Sequence, residues 1–274
     1  MDRRPLGIFD SGVGGLSILK AVRESLPEER LLYFADQAHV PYGVRSLKEI
    51  RSFSEAITRF LIEEQAKMII IACNTASGAA LKHIRTTFPT EPIIGLEPAI
   101  TPAARQTKTG KIAVLATKAT LKSEIYLATR KLLSGQTEIF EAILEGIVEE
   151  IEAGRIDSDR VDSILRKYLL PLLEKGVDTF VLGCTHYPFV MKQMSKITGP
   201  EVNIIDPAAQ VADHIARTLG ERNLLAPKQG QTELCFYSTK DPLQLVQTAR
   251  SLTGLEGQPI KVCWDRNRIQ KSSC

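Results

Sequence analysis

The sequence predicts an α/β protein built as two similar doubly wound domains with mostly parallel sheets. Short β-branched runs alternate with amphipathic segments along the chain, the order that makes parallel sheets with helices on both faces. Several runs, such as MIIIA at 68–72, are apolar throughout, which fits strands buried on both faces. A short echo also recurs: MIIIACNT at 68–75 and TFVLGCTH at 179–186 each read as an apolar strand, a small residue, a cysteine and a polar pair.

Taken in order, strands are expected at 6–10, 31–35, 68–72, 92–95, 111–116, 138–143, 178–183, 202–205, 233–237 and 260–264. Helical patterns fill most of the gaps. Leu47, Ile50, Phe53, Ile57, Phe60 and Leu61 recur at helical spacing and predict one buried face. Val161, Ile164, Leu165, Tyr168 and Leu169 do the same, with Asp157 or Ser158 as the cap. No low-complexity stretch marks a linker. The segments GLEP at 95–98 and DP at 206–207 read instead as crossovers. They divide the chain into 1–97 plus 208–274, carrying Cys73, and 98–207, carrying Cys184.

Composition narrows the class. At about 100–200 residues per domain, 274 residues make one large or two medium domains. Apolar residues at 43% and charged residues at 24% are ordinary for a soluble globular chain. Lys plus Arg is 35 against 32 for Asp plus Glu, too small an excess to point to a nucleic-acid partner, and there is no basic run. No segment reaches the roughly 20 apolar residues that cross a bilayer, and the N-terminus lacks the apolar core of a signal peptide. A cytoplasmic protein is expected. The five cysteines include no CxxC pair and are read as free thiols, with no zinc site. Cys235 and Cys263 stand mid-strand among apolar residues and are expected to be buried; Cys274 is terminal and expected to be mobile. His83 and His214 are read as structural, and His39 is left open.

In open α/β sheets, ligands bind at the carboxyl ends of the strands, and four polar constellations fall there. The loop DSGVGG at 10–15 turns backbone N–H groups toward one point at a helix N-terminus. With Asp36 it partly matches a dinucleotide fingerprint, but Ser17 stands where the third glycine belongs. By itself the loop fits an anion cradle and a packing turn equally. DQAHVPYG at 36–43 offers the Tyr42 hydroxyl and the Gly43 N–H, though alone it reads better as a turn. Cys73-Asn74-Thr75 sets a thiol ahead of a helix, whose dipole favours the thiolate. Cys184-Thr185-His186 repeats the arrangement and adds an imidazole suited to proton handling. A lone cysteine in either place is more often a small core residue. Two strand-end cysteines with matched polar neighbours are harder to explain as packing.

FDSGVGGLSIL at 9–19, ADQAHVPYG at 35–43, ACNTAS at 72–77 and LGCTHYP at 182–188 together resemble the glutamate racemases of the aspartate/glutamate racemase family, in order and spacing. The resemblance runs through nearly the whole chain. It implies two α/β domains facing each other across a cleft, a homodimer, and inversion of glutamate at its α-carbon with no cofactor and no metal. D-glutamate would then feed peptidoglycan synthesis. Cys73 and Cys184 become the two acid/base residues, with Asp10, His186 and Glu152 assisting. Asp10, Ser11, Tyr42, Gly43, Asn74, Thr75, Thr185 and His186 match substrate-contact positions, and Thr117 and Thr120 match positions that hold a carboxylate. One region departs. FEAILEGIVEEIEAG at 140–154 lacks the prolines usual there, and Glu152 is the best match for the family's glutamate, with Glu149 and Glu150 close by.

Two thiols suit this chemistry, because inversion removes a proton from one face and returns one to the other. Three other readings stay in view. One is a related racemase for aspartate or another amino acid. Another is a cysteine hydrolase with Cys184 as nucleophile and His186 as base. The third is a nicotinamide- or nucleotide-binding protein built on the glycine loop and Asp36.

Overall fold

A computed structural model describes residues 1–228 and 232–271, so Cys274 lies outside the described residues. The chain forms two compact units, one from Met1–Leu96 with the chain from Ala208 onward, the other Glu97–Pro207.

The first unit opens with β1 (Leu6–Asp10), α1 (Leu16–Ser25), β2 (Leu31–Ala35), α2 (Leu47–Glu63), β3 (Met68–Ile71), α3 (Asn74–Thr87) and β4 (Ile93–Gly95). The second comprises α4 (Ile100–Gln106), β5 (Lys111–Ala116), α5 (Lys118–Leu121), α6 (Glu124–Leu132), β6 (Glu138–Ala142), α7 (Ile147–Glu152), α8 (Asp159–Glu174), β7 (Thr179–Gly183), α9 (Met191–Thr198) and β8 (Asn203–Ile205). The chain then returns to the first unit as α10 (Ala208–Glu221), β9 (Leu234–Ser238), α11 (Pro242–Thr253), β10 (Gln258–Asp265) and β11 (Arg268–Lys271).

The first unit holds a sheet in the order β11-β10-β9-β2-β1-β3-β4, parallel except for the antiparallel β10–β11 hairpin. The second holds β6-β5-β7-β8, parallel throughout. The two share a winding. Within β2-β1-β3-β4 and β6-β5-β7-β8 the first strand lies beside the third, and the chain winds outward from that pair in both directions. The first–third pair is therefore the topological switch point of each sheet, the place where α/β sheets bind ligands at their carboxyl ends.

The strands at the centre are fully buried, LGIFD in β1, LLYFA in β2 and MIII in β3, because helices cover both faces; Asp10, at the end of β1, is the polar exception among them. The core of the second unit gathers Ile100, Ile112, Val114, Tyr126 and Val181. Helix starts are set by caps. Ser46 and Glu49 form a reciprocal capping box on α2, with the Glu49 N–H donating to Ser46 Oγ at 3.2 Å and the Ser46 N–H to Glu49 Oε2 at 2.9 Å. Ser158 rather than Asp157 caps α8, its hydroxyl accepting from the Val161 N–H; Asp157 accepts from the Gln193 amide instead.

Three expectations are corrected. Leu47 is 55% exposed, since the buried face of α2 begins one turn later at Ile50. Cys263 is exposed while Cys235 is buried. Side chains alternate along β10: Val262 faces the core and Cys263 the solvent. The strand β11 carries too few apolar residues to register as a strand in the sequence, with only Ile269 buried. It forms because β10 offers it a partner.

Candidate active site

In the first unit, Asp10 ends β1 and is wholly buried. One carboxylate oxygen accepts from the Gly12 N–H at 2.7 Å, and the Tyr33 hydroxyl donates to the Gly12 carbonyl at 2.7 Å. Gly15 lies so close that a Cβ there would stand 2.7 Å from the Asp10 Cβ. The glycine loop thus wraps around a carboxylate of the protein itself, which leaves little reason for a phosphate there. Asp36 is also engaged: it is buried and accepts hydrogen bonds from Tyr42, His39, Thr239 and Trp264. Both elements of the dinucleotide reading are used inside the fold.

Cys73 follows β3 and is the N-cap of α3, its sulfur accepting from the Ala76 N–H at 3.4 Å. This end of a helix favours negative charge on sulfur. The thiol also lies 4.0 Å from the Ser11 hydroxyl. Asn74 is 3% exposed, and neither its amide nitrogen nor its oxygen has a hydrogen-bond partner in the protein. Leaving such a group unsatisfied costs about 1–3 kcal/mol, so a buried, unpaired amide beside a thiol reads as half of a ligand contact. Thr75 is buried in the next position. Tyr42, buried in a single turn of 3-10 helix that also contains Gly43, donates to Asp36 at 2.8 Å. Burial first, and then Asp36, pushes its phenol well above the ordinary range, and the charges of Cys73 and Asp10 add to the shift. Tyr42, Asp10 and Cys73 therefore share one electrostatic neighbourhood.

In the second unit, Cys184 directly follows β7 and is 6% exposed. Gly183 is required before it: a Cβ would meet the Ala116 Cβ at 2.9 Å and the Leu115 carbonyl oxygen at 3.1 Å. Ala116 opposite Gly183 is the last pair of the register, and Thr117 and Cys184 are the next residues on the two strands. The Thr117 and Thr120 hydroxyls are 3.0 Å apart, and Thr117 caps α5 by accepting from the Thr120 N–H. Thr120 and Thr185 are buried.

The surroundings of Cys184 differ from the sequence expectation. A 3-10 turn, Tyr187–Val190, and not an α-helix, comes next. Its partner is an imidazole: the sulfur lies 3.8 Å from His186 Nδ1, and His186 Nε2 lies 2.7 Å from Glu152 Oε1. Burial alone would lower the His186 pKa, but Cys184 and Glu152 outweigh it and hold the ring well above its ordinary range. Glu150, two residues before Glu152, is turned to Arg155 and Arg160. Tyr187 was not singled out in the sequence, yet its buried phenol is raised by burial and then by Cys184. Its place directly after His186 was the available signal.

The other histidines have partners elsewhere: His83 on Glu55, and His214 on Arg217. Among the described residues no group of three or more His, Cys, Asp or Glu is arranged to hold a metal ion.

Each unit thus carries a buried thiol at the carboxyl end of the third strand of a shared winding, beside its switch point. A family model described as Asp/Glu/hydantoin racemase matches residues 16–215. A curated glutamate racemase of Pseudomonas aeruginosa is 45% identical over 257 residues, 94% of this chain and 96% of its own. The chain belongs to the Asp/Glu/hydantoin racemase family. Among solved structures, glutamate racemase from Francisella tularensis in complex with D-glutamate matches with a TM-score of 0.83 at 32% identity, covering 97% of this chain and 98% of that one. A glutamate racemase isoform from Bacillus anthracis matches with a TM-score of 0.87 at 29% identity, covering 98% and 100%.

Proposed function

We propose that this protein is a glutamate racemase that interconverts L- and D-glutamate by moving one proton between two thiols, Cys73 and Cys184. The observation that carries the reading is the repeated placement of a buried cysteine at the same point of two like-wound sheets. The substrate is taken from the relatives, which are glutamate racemases, one of them a structure with D-glutamate.

Inversion needs a base on one face of the α-carbon and an acid on the other. With D-glutamate bound, the Cys73 thiolate takes the α-proton and becomes a thiol. The carbon then holds an electron pair delocalised into its carboxylate. The Cys184 thiol gives its proton to the opposite face and becomes a thiolate. With L-glutamate the roles reverse, and no cofactor enters the balance.

A thiolate is a weak base for a carbon acid, so fixed dipoles must supply the rest. Asn74 has an unpaired donor and acceptor ready for the α-carboxylate and ammonium groups. Thr75, Thr185, Thr117 and Thr120 add hydroxyls, and Ser11, Tyr42 and Gly43 complete the contacts of the first unit. Asp10 assists at Cys73. At Cys184 the His186 imidazolium, held by Glu152, supports the thiolate.

The Cys184–His186–Glu152 line alone also fits a nucleophile with its base and orienting carboxylate. That reading gives Cys73 no task. The test is incubation of each enantiomer in D2O with the natural protein, Cys73→Ala and Cys184→Ala. The natural protein should place deuterium at the α-carbon of the product from both enantiomers. Each variant should lose racemisation by roughly 100-fold or more. Full racemisation by either variant would sink the mechanism, and an acyl-enzyme burst with an ester or amide substrate would favour the hydrolase. A panel of amino acids separates glutamate from aspartate as substrate. We further propose a cytoplasmic homodimer supplying D-glutamate to peptidoglycan synthesis. Sedimentation velocity checks the dimer, and a monomer would refute it.

A further inference from the structure

We propose that Asp36 and Trp264 are positioning residues that fix the Tyr42–Gly43 turn, so that the last strands of the chain tune substrate affinity. This rests on the reading above, in which Tyr42 and Gly43 meet the substrate.

Asp36 follows β2 and is fully buried, so each of its carboxylate lone pairs needs a donor. Two come from distant parts of the sequence and the rest from the turn that follows. The Trp264 indole N–H donates to Oδ1 at 2.9 Å, and the Thr239 hydroxyl donates to the same oxygen at 3.1 Å. Oδ2 receives the Tyr42 hydroxyl at 2.8 Å, and His39 Nδ1 stands 2.9 Å from it. With its Nδ1 against a carboxylate, His39 carries its proton there.

The rings lock the same turn a second time. His39 stacks on Phe53 with centroids 4.0 Å apart and an interplanar angle of 16°. Trp264 meets His39 edge-on at 5.1 Å and Phe53 at 5.5 Å, and Tyr42 packs on Phe53 at 5.7 Å. The segment 36–43 would otherwise be a surface loop with little to define it. Here Trp264, from β10, is its clamp, and the Asp36 carboxylate is the joint between the two. Trp264 itself makes no catalytic contact in this scheme. It acts through Asp36 and Tyr42.

In this scheme the turn holds substrate in ground state and transition state alike, so loosening it raises KM and leaves kcat alone. Trp264→Phe removes the N–H and keeps a ring for stacking. Its KM for both glutamate enantiomers should rise roughly three- to tenfold with kcat within about twofold. Tyr42→Phe cuts the other end of the same path. In a double-mutant cycle the two losses in affinity should be less than additive, because either one frees the turn.

Asp36→Asn, which turns an amide N–H toward a set of donors, should weaken affinity further than Trp264→Phe. An unchanged KM in folded Trp264→Phe, or fully additive losses in the cycle, would overturn the proposal while the natural protein still racemised glutamate. Failure of the natural protein to exchange the α-proton would instead sink the functional reading.

Discussion

Two cysteines that look alike in sequence have different surroundings. Cys73 sits at the N-terminus of α3 with the Ala76 N–H on its sulfur. Cys184 precedes a 3-10 turn and faces His186, whose far nitrogen rests on Glu152. This difference has a pH consequence. His186 stays protonated above its ordinary range, against the pull of burial, because Cys184 and Glu152 favour the imidazolium. Glu152→Gln removes one of those two supports, so the imidazolium is lost at a lower pH. In the proposed mechanism Cys184 is the base for L-glutamate, so the alkaline limb of kcat/KM for that enantiomer should move down by roughly half a unit or more. For D-glutamate, with Cys73 as base, it should move less. Equal movement in both directions would count against Glu152 acting through His186.

At the scale of elements, the functional side chains are placed by packing constraints a few residues away. Gly183 shows this most sharply. Its missing Cβ lets β7 draw in on β5 at this last pair, Ala116 with Gly183. That approach sets the Thr117 end of β5 next to the Cys184 end of β7. Gly183→Ala forces the methyl against the Leu115 carbonyl, a backbone atom that cannot swing aside. Overpacking of this kind costs about 1–3 kcal/mol. Denaturant unfolding should register that loss, with kcat falling more than in a control substitution of equal destabilisation far from the strand ends. An unchanged midpoint would show that the two strands yield more easily than their spacing implies. Gly15 makes the same allowance in the first unit, where a side chain would displace Asp10.

At the scale of the whole molecule, the first unit is stitched from both ends of the sequence. Lys67, just before β3, is fully buried. It pairs with Glu29, just before β2, at 2.6 Å and donates to the Asp2 carbonyl at 2.7 Å. Glu29 also accepts from the Ala226 N–H at 2.8 Å, which draws in the chain after α10. One buried pair thus ties the N-terminus, two central strands and the returning segment together. Removing one partner strands the other charge, at a cost of about 3–5 kcal/mol. Lys67→Met should show that loss in equilibrium unfolding, and Lys67→Met with Glu29→Leu should recover much of it. A single variant as stable as the natural protein would refute the assignment. Among the described residues no helix is long and apolar enough to cross a membrane.

By itself the sequence determined the α/β class, the central strands and the two strand-end thiols. All of these follow from local pattern, and an unbroken apolar run such as MIII fits a strand buried on both faces. The four linked motifs carried the family. What only the tertiary structure decided were contacts made across long separations. Glu152 rather than Glu150 meets His186, since Arg155 after α7 and Arg160 in α8 take Glu150. Asp36 is a joint within the fold because Trp264, Thr239 and Tyr42 converge on it. Cys263 is exposed because Val262 takes the core-facing place once β10 is seated between β9 and β11. Hydrophobic pattern constrains which face of an element is buried, but a polar side chain's partner depends on where other elements end, and that is fixed only when the chain closes on itself.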